Sequence, residues 1–203
     1  MSDFLVPAET VKGEVLVKKS RFIAFISYAS DPTASHVFID SIRKQYPDAG
    51  HVCWAFVAGE PGNTPHVSCS DDGEPAGTAG KPILNVLQHS DVGEIVAVVV
   101  RYFGGIKLGT GGLVRAYSGA VTELMKTLPT EIKVNKICFT LQCDYSLEDA
   151  VRRALDSYST EILALNYQEQ IQMQCQCPVN KLDELTLLLN DVGRGQIVIN
   201  TDK

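Results

Sequence analysis

Residues 137–177 read ICFTLQCDYSLEDAVRRALDSYSTEILALNYQEQIQMQCQC, and their alternation decides the fold of the chain's second half. Ile137, Phe139, Leu141, Cys143 and Tyr145 share one face of a strand. Ile171, Met173, Cys175 and Cys177 share one face of another, with glutamines between them. Between these strands, Leu147, Ala150, Val151, Ala154, Leu155 and Tyr158 recur at helical spacing over 147–157, and 161–166 reads as a further strand. Pro178 opens a second helix to Asp191, with Leu182, Leu185, Leu189 and Val192 on its apolar stripe. Gly193 and Gly195 end it before a last strand at 196–200. The order βαββαβ is that of a ferredoxin-like split βαβ unit, which assigns residues 131–203 to one domain.

The first half, residues 1–130, reads as a second domain of α+β type. Strands at 13–18 and 21–28 flank the basic turn KKSR. Asp31 caps a helix with Pro32 at its first position, running to Tyr46 with Ala34, Val37, Phe38 and Ile42 inward. Strands at 51–58 and 67–70, a helix at 81–88 and a central strand at 94–102 follow. A glycine loop at 103–111 leads into a helix at 112–128, ended by Pro129, and a short linker spans 128–133.

Composition limits what the chain can do. A net charge of −6 argues against a dedicated nonspecific nucleic-acid binder, so an anionic partner has to meet a local basic patch. No apolar run is long enough to span a bilayer, and the N-terminus lacks a basic region followed by an apolar core; a cytoplasmic address with no membrane partner is expected. The six cysteines show no CxxC spacing and read as reduced core residues.

Function is sought at 70–120, which holds ten of the chain's 16 glycines. This stretch opens on SDDGEPAGTAGKPIL, with Asp71, Asp72 and Glu74, and continues as EIVAVVVRYFGGIKLGTGGLVRAYSGA. No acid occurs from 95 to 122, whereas Arg101, Lys107 and Arg115 are cationic. A strand, then glycines, then a helix start can cradle phosphate through backbone N–H groups. The hydrolytic fingerprints are absent: Gly104 and Gly109 have P-loop spacing, but Thr110 stands where lysine is needed. The dinucleotide pattern likewise fails at Val114. Binding of RNA or another partner is therefore assigned to Lys81, Arg101, Tyr102, Gly104, Gly105, Lys107, Gly109, Gly111 and Arg115, where cations neighbour aromatics. The same glycines also suit a purely structural turn.

Asp71, Asp72 and Glu74 fit no calcium-loop spacing; as an acidic loop of functional interest they are expected to be solvated, or to pair with the basic loop, for instance Asp72 with Arg101. His36, His51, His66 and His89 are scattered, Ser118 lacks the first glycine of GxSxG, and HExxH does not occur. No catalytic residue, metal or cofactor is assigned, although a composite site assembled by the fold stays open.

SDDGEPAGTAGKPIL, EIVAVVVRYFGG and GIKLGTGGLVRAY together resemble the YigZ/IMPACT family, and the resemblance extends over essentially the whole chain. It implies an N-terminal domain similar to domain IV of elongation factor G and a C-terminal ferredoxin-like domain similar to its domain V. Eukaryotic members regulate translation under stress through a protein partner on the ribosome and carry an extra N-terminal interaction domain; because this sequence opens almost at the family core, that partner contact is not expected to transfer. The resemblance implies a translation-linked or RNA-binding role and no established reaction. The expectation is a cytoplasmic, non-enzymatic protein that binds RNA or the ribosome through the basic glycine loop. Alternatives are an enzyme acting on a small phosphorylated or peptide substrate near the SDDGEP loop, and a protein–protein adaptor.

Overall fold

The computed structural model describes residues 3–201 and divides into two compact units. One comprises residues 4–133; the other comprises Asp3 with 134–201.

The first unit runs β1 (Phe4–Pro7), β2 (Val11–Val17), β3 (Ser20–Tyr28), α1 (Pro32–Gln45), β4 (His51–Val57), β5 (Val67–Ser70), α2 (Gly80–Gln88), β6 (Ile95–Tyr102), α3 (Thr110–Met125) and β7 (Thr130–Lys133). Its five-stranded sheet has the order β2-β3-β6-β4-β5 with every neighbouring pair antiparallel. The run Ile95, Val96, Ala97, Val98, Val99, Val100 is apolar on both sides because β6 is covered twice. Ile95, Ala97 and Val99 belong to the core under α2 and α3, with Ile83, Leu87, Leu113 and Tyr117. Val96, Val98 and Val100 face the opposite core with Ile39 and Ile42 of α1. Each such fully buried aliphatic side chain contributes roughly 1.5–3 kcal/mol relative to exposure. Asp31 caps α1 as expected, its carboxylate accepting the Ala34 N–H at 2.9 Å.

Several expectations need correction. Val37, read as inward on α1, is 66% exposed, and Tyr145, read on a strand face, lies beyond the strand's end and is 52% exposed. The linker at 128–133 contains a strand: β7 pairs antiparallel with β1, Phe4 opposite Lys133 and Pro7 opposite Thr130. The helix after the glycine loop begins at Thr110, not at residue 112, and ends at Met125.

The second unit runs β8 (Lys136–Cys143), α4 (Glu148–Ser157), β9 (Glu161–Tyr167), β10 (Ile171–Pro178), α5 (Leu182–Gly193) and β11 (Val198–Thr201). The antiparallel order β11-β8-β10-β9 is the split βαβ arrangement. Phe139, Leu141, Cys143, Met173, Cys175 and Cys177 pack with Val151, Leu155, Leu185 and Leu189. All six cysteines are free, and burial pushes the Cys175 thiol up to about 11, so it packs as a small apolar group. Among the described residues no helix is long and apolar enough to cross a membrane.

Candidate nucleic-acid interface

Val17 pairs with Ser20, so Lys18 and Lys19 alone make the turn between β2 and β3. Both have positive φ, 46° and 66°, as a two-residue type I′ turn requires. Asn-Gly adopts that turn without strain, whereas a left-handed non-glycine residue costs of order 1–3 kcal/mol. The two lysines are nevertheless held there, exposed.

The glycine loop closes onto this turn. Gly104 donates its N–H to Ser20 Oγ at 3.1 Å, and a side chain at Gly104 would run into the Lys19 carbonyl. Only glycine permits that approach. Phe103, 59% exposed, then projects beside Ile106 and Lys107, which are also exposed. Among the described residues Lys18, Lys19 and Lys107 form no ion pair, unlike Arg21, which holds Glu14 at 2.8 Å. Tyr102 is more occupied than its sequence neighbours suggest: its hydroxyl donates to Asp48 at 2.8 Å, and Arg21 lies 5.5 Å from its ring centre.

Behind Phe103 lies a cavity of about 350 Å³ where Arg101, Glu74, His51 and Lys107 meet the first residues of α3. Arg101 does not face solvent as a phosphate-binding surface cation would; it is 6% exposed, on the α2–α3 side of β6. Its Nη1 donates to Glu74 Oε1 at 2.5 Å, and the Tyr117 hydroxyl donates to the same oxygen at 2.7 Å. His51 Nε2 is 4.0 Å from that oxygen, and its Nδ1 donates to the Asp72 carbonyl at 2.8 Å, which orients the ring. Arg101 Nε is buried without a hydrogen-bond partner. The guanidinium lies 5.5 Å from the Phe22 ring centre and 5.6 Å from that of Phe103.

The acidic loop is therefore not a solvated turn. Glu74 is buried and is the acid that pairs with Arg101. Asp72, expected as that partner, instead accepts the Val52 N–H at 2.7 Å and meets Arg43 at 3.2 Å. Asp71 accepts N–H groups from Gly77, Ala79 and Gly80 at 2.7, 2.9 and 2.8 Å, tying the loop to the start of α2. Burial pulls its carboxyl upward, but these three bonds outweigh it and hold the group below the usual range. Cys53 sits 3.4 Å from the Tyr117 hydroxyl; burial foremost pushes its thiol up to about 12, so it is no nucleophile. Among the described residues no cluster of three His, Cys, Asp or Glu side chains could hold a metal ion.

The remaining sequence candidates scatter. Gly105 and Gly109 take φ of 85° and 74° in the loop, while Gly111 lies in the first turn of α3. Arg115 is exposed further along α3. Lys81 lines a separate groove between α2 and α3, with Asn85, His89 and Ser118. Sequence reasoning missed His51 and Tyr117, and it saw Lys18 and Lys19 only as part of a basic turn. His51 stands directly opposite Arg101 in the β4–β6 register, a relation invisible until the strands are paired.

Residues 18–125 match the family model described as the Impact N-terminal domain, and residues 141–196 match a domain of unknown function, DUF1949. The chain is 43% identical over 199 residues to an IMPACT family member of Haemophilus influenzae, covering 98% of this chain and 97% of the relative. It is also 43% identical over 197 residues to the IMPACT family member YigZ of Escherichia coli, covering 97% of both. A crystal structure described only as that of a hypothetical protein superposes with a TM-score of 0.77 at 41% identity, over 100% of this chain and 98% of that one.

Proposed function

This chain belongs to the IMPACT family, and on that premise we propose that it is a cytoplasmic, non-enzymatic regulator linked to translation. It binds RNA or the ribosome through the face made by the Lys18–Lys19 turn and the glycine loop. One observation carries the reading: two unpaired lysines are kept in a backbone conformation that favours Asn-Gly, beside a loop displaying Phe103 and Lys107. Strain of this kind concentrates at functional sites. Unpaired cations beside an exposed ring suit the phosphates and unstacked bases of single-stranded RNA. The net charge of −6 then confines attraction to this patch and limits nonspecific binding elsewhere.

The likeness of the two units to domains IV and V of elongation factor G belongs to the same reading, and it favours a ribosomal surface as the destination. In the second unit, Thr140, Gln142, Gln172 and Gln174 alternate with the buried residues of β8 and β10, supplying a polar sheet face for a second contact. Gradient co-sedimentation tests the proposal. Wild-type protein should travel with ribosomes at low salt and be released by nuclease or by raised salt, while Lys19→Glu with Lys107→Glu should remain at the top. A wild-type chain that never co-sediments at low salt overturns the reading; nuclease-resistant capture of a protein alone points to an adaptor.

A further inference from the structure

We propose that the cavity behind Phe103 accepts one nucleoside monophosphate unit, its phosphate at the first turn of α3 and its base against the Phe103 ring. The inference rests on the RNA-binding reading for the source of that unit, an unstacked nucleotide of a bound strand; a free nucleotide presents the same chemistry.

Glu74 supplies the first argument. It is more than nine-tenths buried, it lines the cavity, and its Oε2 meets no donor among the described residues. An unmet buried acceptor is costly, and a hydroxyl of a ligand in the cavity would satisfy it. The 16-residue helix α3 supplies the second. Its N-cap is Gly109, which offers no side-chain hydrogen bond, so the leading N–H groups stay open beside Thr110, itself part of the cavity wall. Those groups and the positive helix end form an anion site, and exposed Lys107 stands at the same wall.

Charge and shape narrow the ligand. Glu74 offsets Arg101, so the surplus positive charge is that of Lys107 and the helix end, suited to one phosphate. Both donated hydrogen bonds to Glu74 fall on Oε1; among the described residues no donor meets Oε2, which can accept a ribose hydroxyl. The volume, about 350 Å³, lies at the lower end of the range of small-ligand sites. Apolar walls from Pro75, Leu108 and Leu113, with the Phe103 ring, fit a flat base better than a compact inorganic anion.

Calorimetric titration of the full chain with adenosine 5′-monophosphate, ribose 5-phosphate and a short single-stranded oligo(A) tests this, using two variants. Phe103→Ala removes an exposed ring. Thr110→Pro deletes one N–H at the first helical position, where proline is tolerated. The expected result is saturable binding of adenosine 5′-monophosphate, weakened about tenfold or more by Phe103→Ala. That variant should leave ribose 5-phosphate unchanged, whereas Thr110→Pro should weaken both ligands, with unliganded melting temperatures preserved. Oligo(A) that binds wild type and both variants alike overturns the cavity proposal and leaves RNA binding by the Lys18–Lys19 turn standing. Nucleotide binding with these variant effects, but none of oligo(A) or ribosomes, upholds the cavity and overturns the surface reading. Wild type that binds neither adenosine 5′-monophosphate nor oligo(A) nor ribosomes overturns both.

Discussion

Gly104 and Lys19 meet backbone to backbone: the glycine N–H reaches Ser20 Oγ at 3.1 Å, and the space a side chain would need is filled by the Lys19 carbonyl. The contact fastens the glycine loop to the lysine turn, so two segments distant in sequence present one surface.

Gly104→Ala should therefore lower stability by roughly 1–3 kcal/mol, since the turn must move to admit the methyl group. Gly111→Ala is the control. Nothing lies within 4 Å of its added carbon and its backbone is helical, so stability should hold or rise by about 0.4–1 kcal/mol. Urea midpoints of the two variants read this difference.

The Glu74–Arg101 pair should behave as a unit. Arg101→Met alone leaves a buried carboxylate without its cation and should cost about 3–5 kcal/mol. Combining it with Glu74→Leu should recover much of that loss, so the two changes will not add. Equilibrium unfolding of both single variants and the double variant measures the coupling; strict additivity would remove the pair from the account.

Lys133 Nζ lies 2.5 and 2.7 Å from the two oxygens of buried Glu94, anchoring β7. Burial pulls the ammonium pKa down, but the hydrogen bonds and charge of Glu94 outweigh it, leaving it above its ordinary value. A folded pKa above the unfolded one means that this stabilisation is full below about pH 10.4 and is lost as pH rises through the folded value. Thermal melts into the alkaline range should show a decline that Lys133→Met lessens; identical decline in both proteins would contradict the assignment.

Cys53, with its thiol pushed up to about 12 by burial, should resist maleimide at neutral pH while the protein is folded and react once it is unfolded. Peptide mapping after brief labelling distinguishes the two states.

The split βαβ unit was readable because its signals are local: Ile171 to Cys177 alternate with glutamine, and the two helices carry their stripes in sequence. The pairing of β1 with β7 was not, because FLVP and TEIK are four residues each and find one another across nearly the whole first unit. Arg101 was recognised as a cation beside aromatics, but its direction is set by its sharing a face with Ile95, Ala97 and Val99. Its partner, Glu74, comes from a loop that sequence marks as polar and that folding turns inward. The strain at Lys18 and Lys19 becomes visible only once Val17 is seen to pair with Ser20.

The most direct test of RNA recognition by the lysine turn is the salt dependence of single-stranded RNA binding by wild type and by Lys18→Asn with Lys19→Gly. The double variant should fold at least as stably, because Asn-Gly relaxes the turn. It should also bind more weakly, with a log affinity–log salt slope shallower by about 1.4, or roughly 0.7 for each lost phosphate contact. Wild-type and variant curves that coincide in both affinity and slope would contradict it.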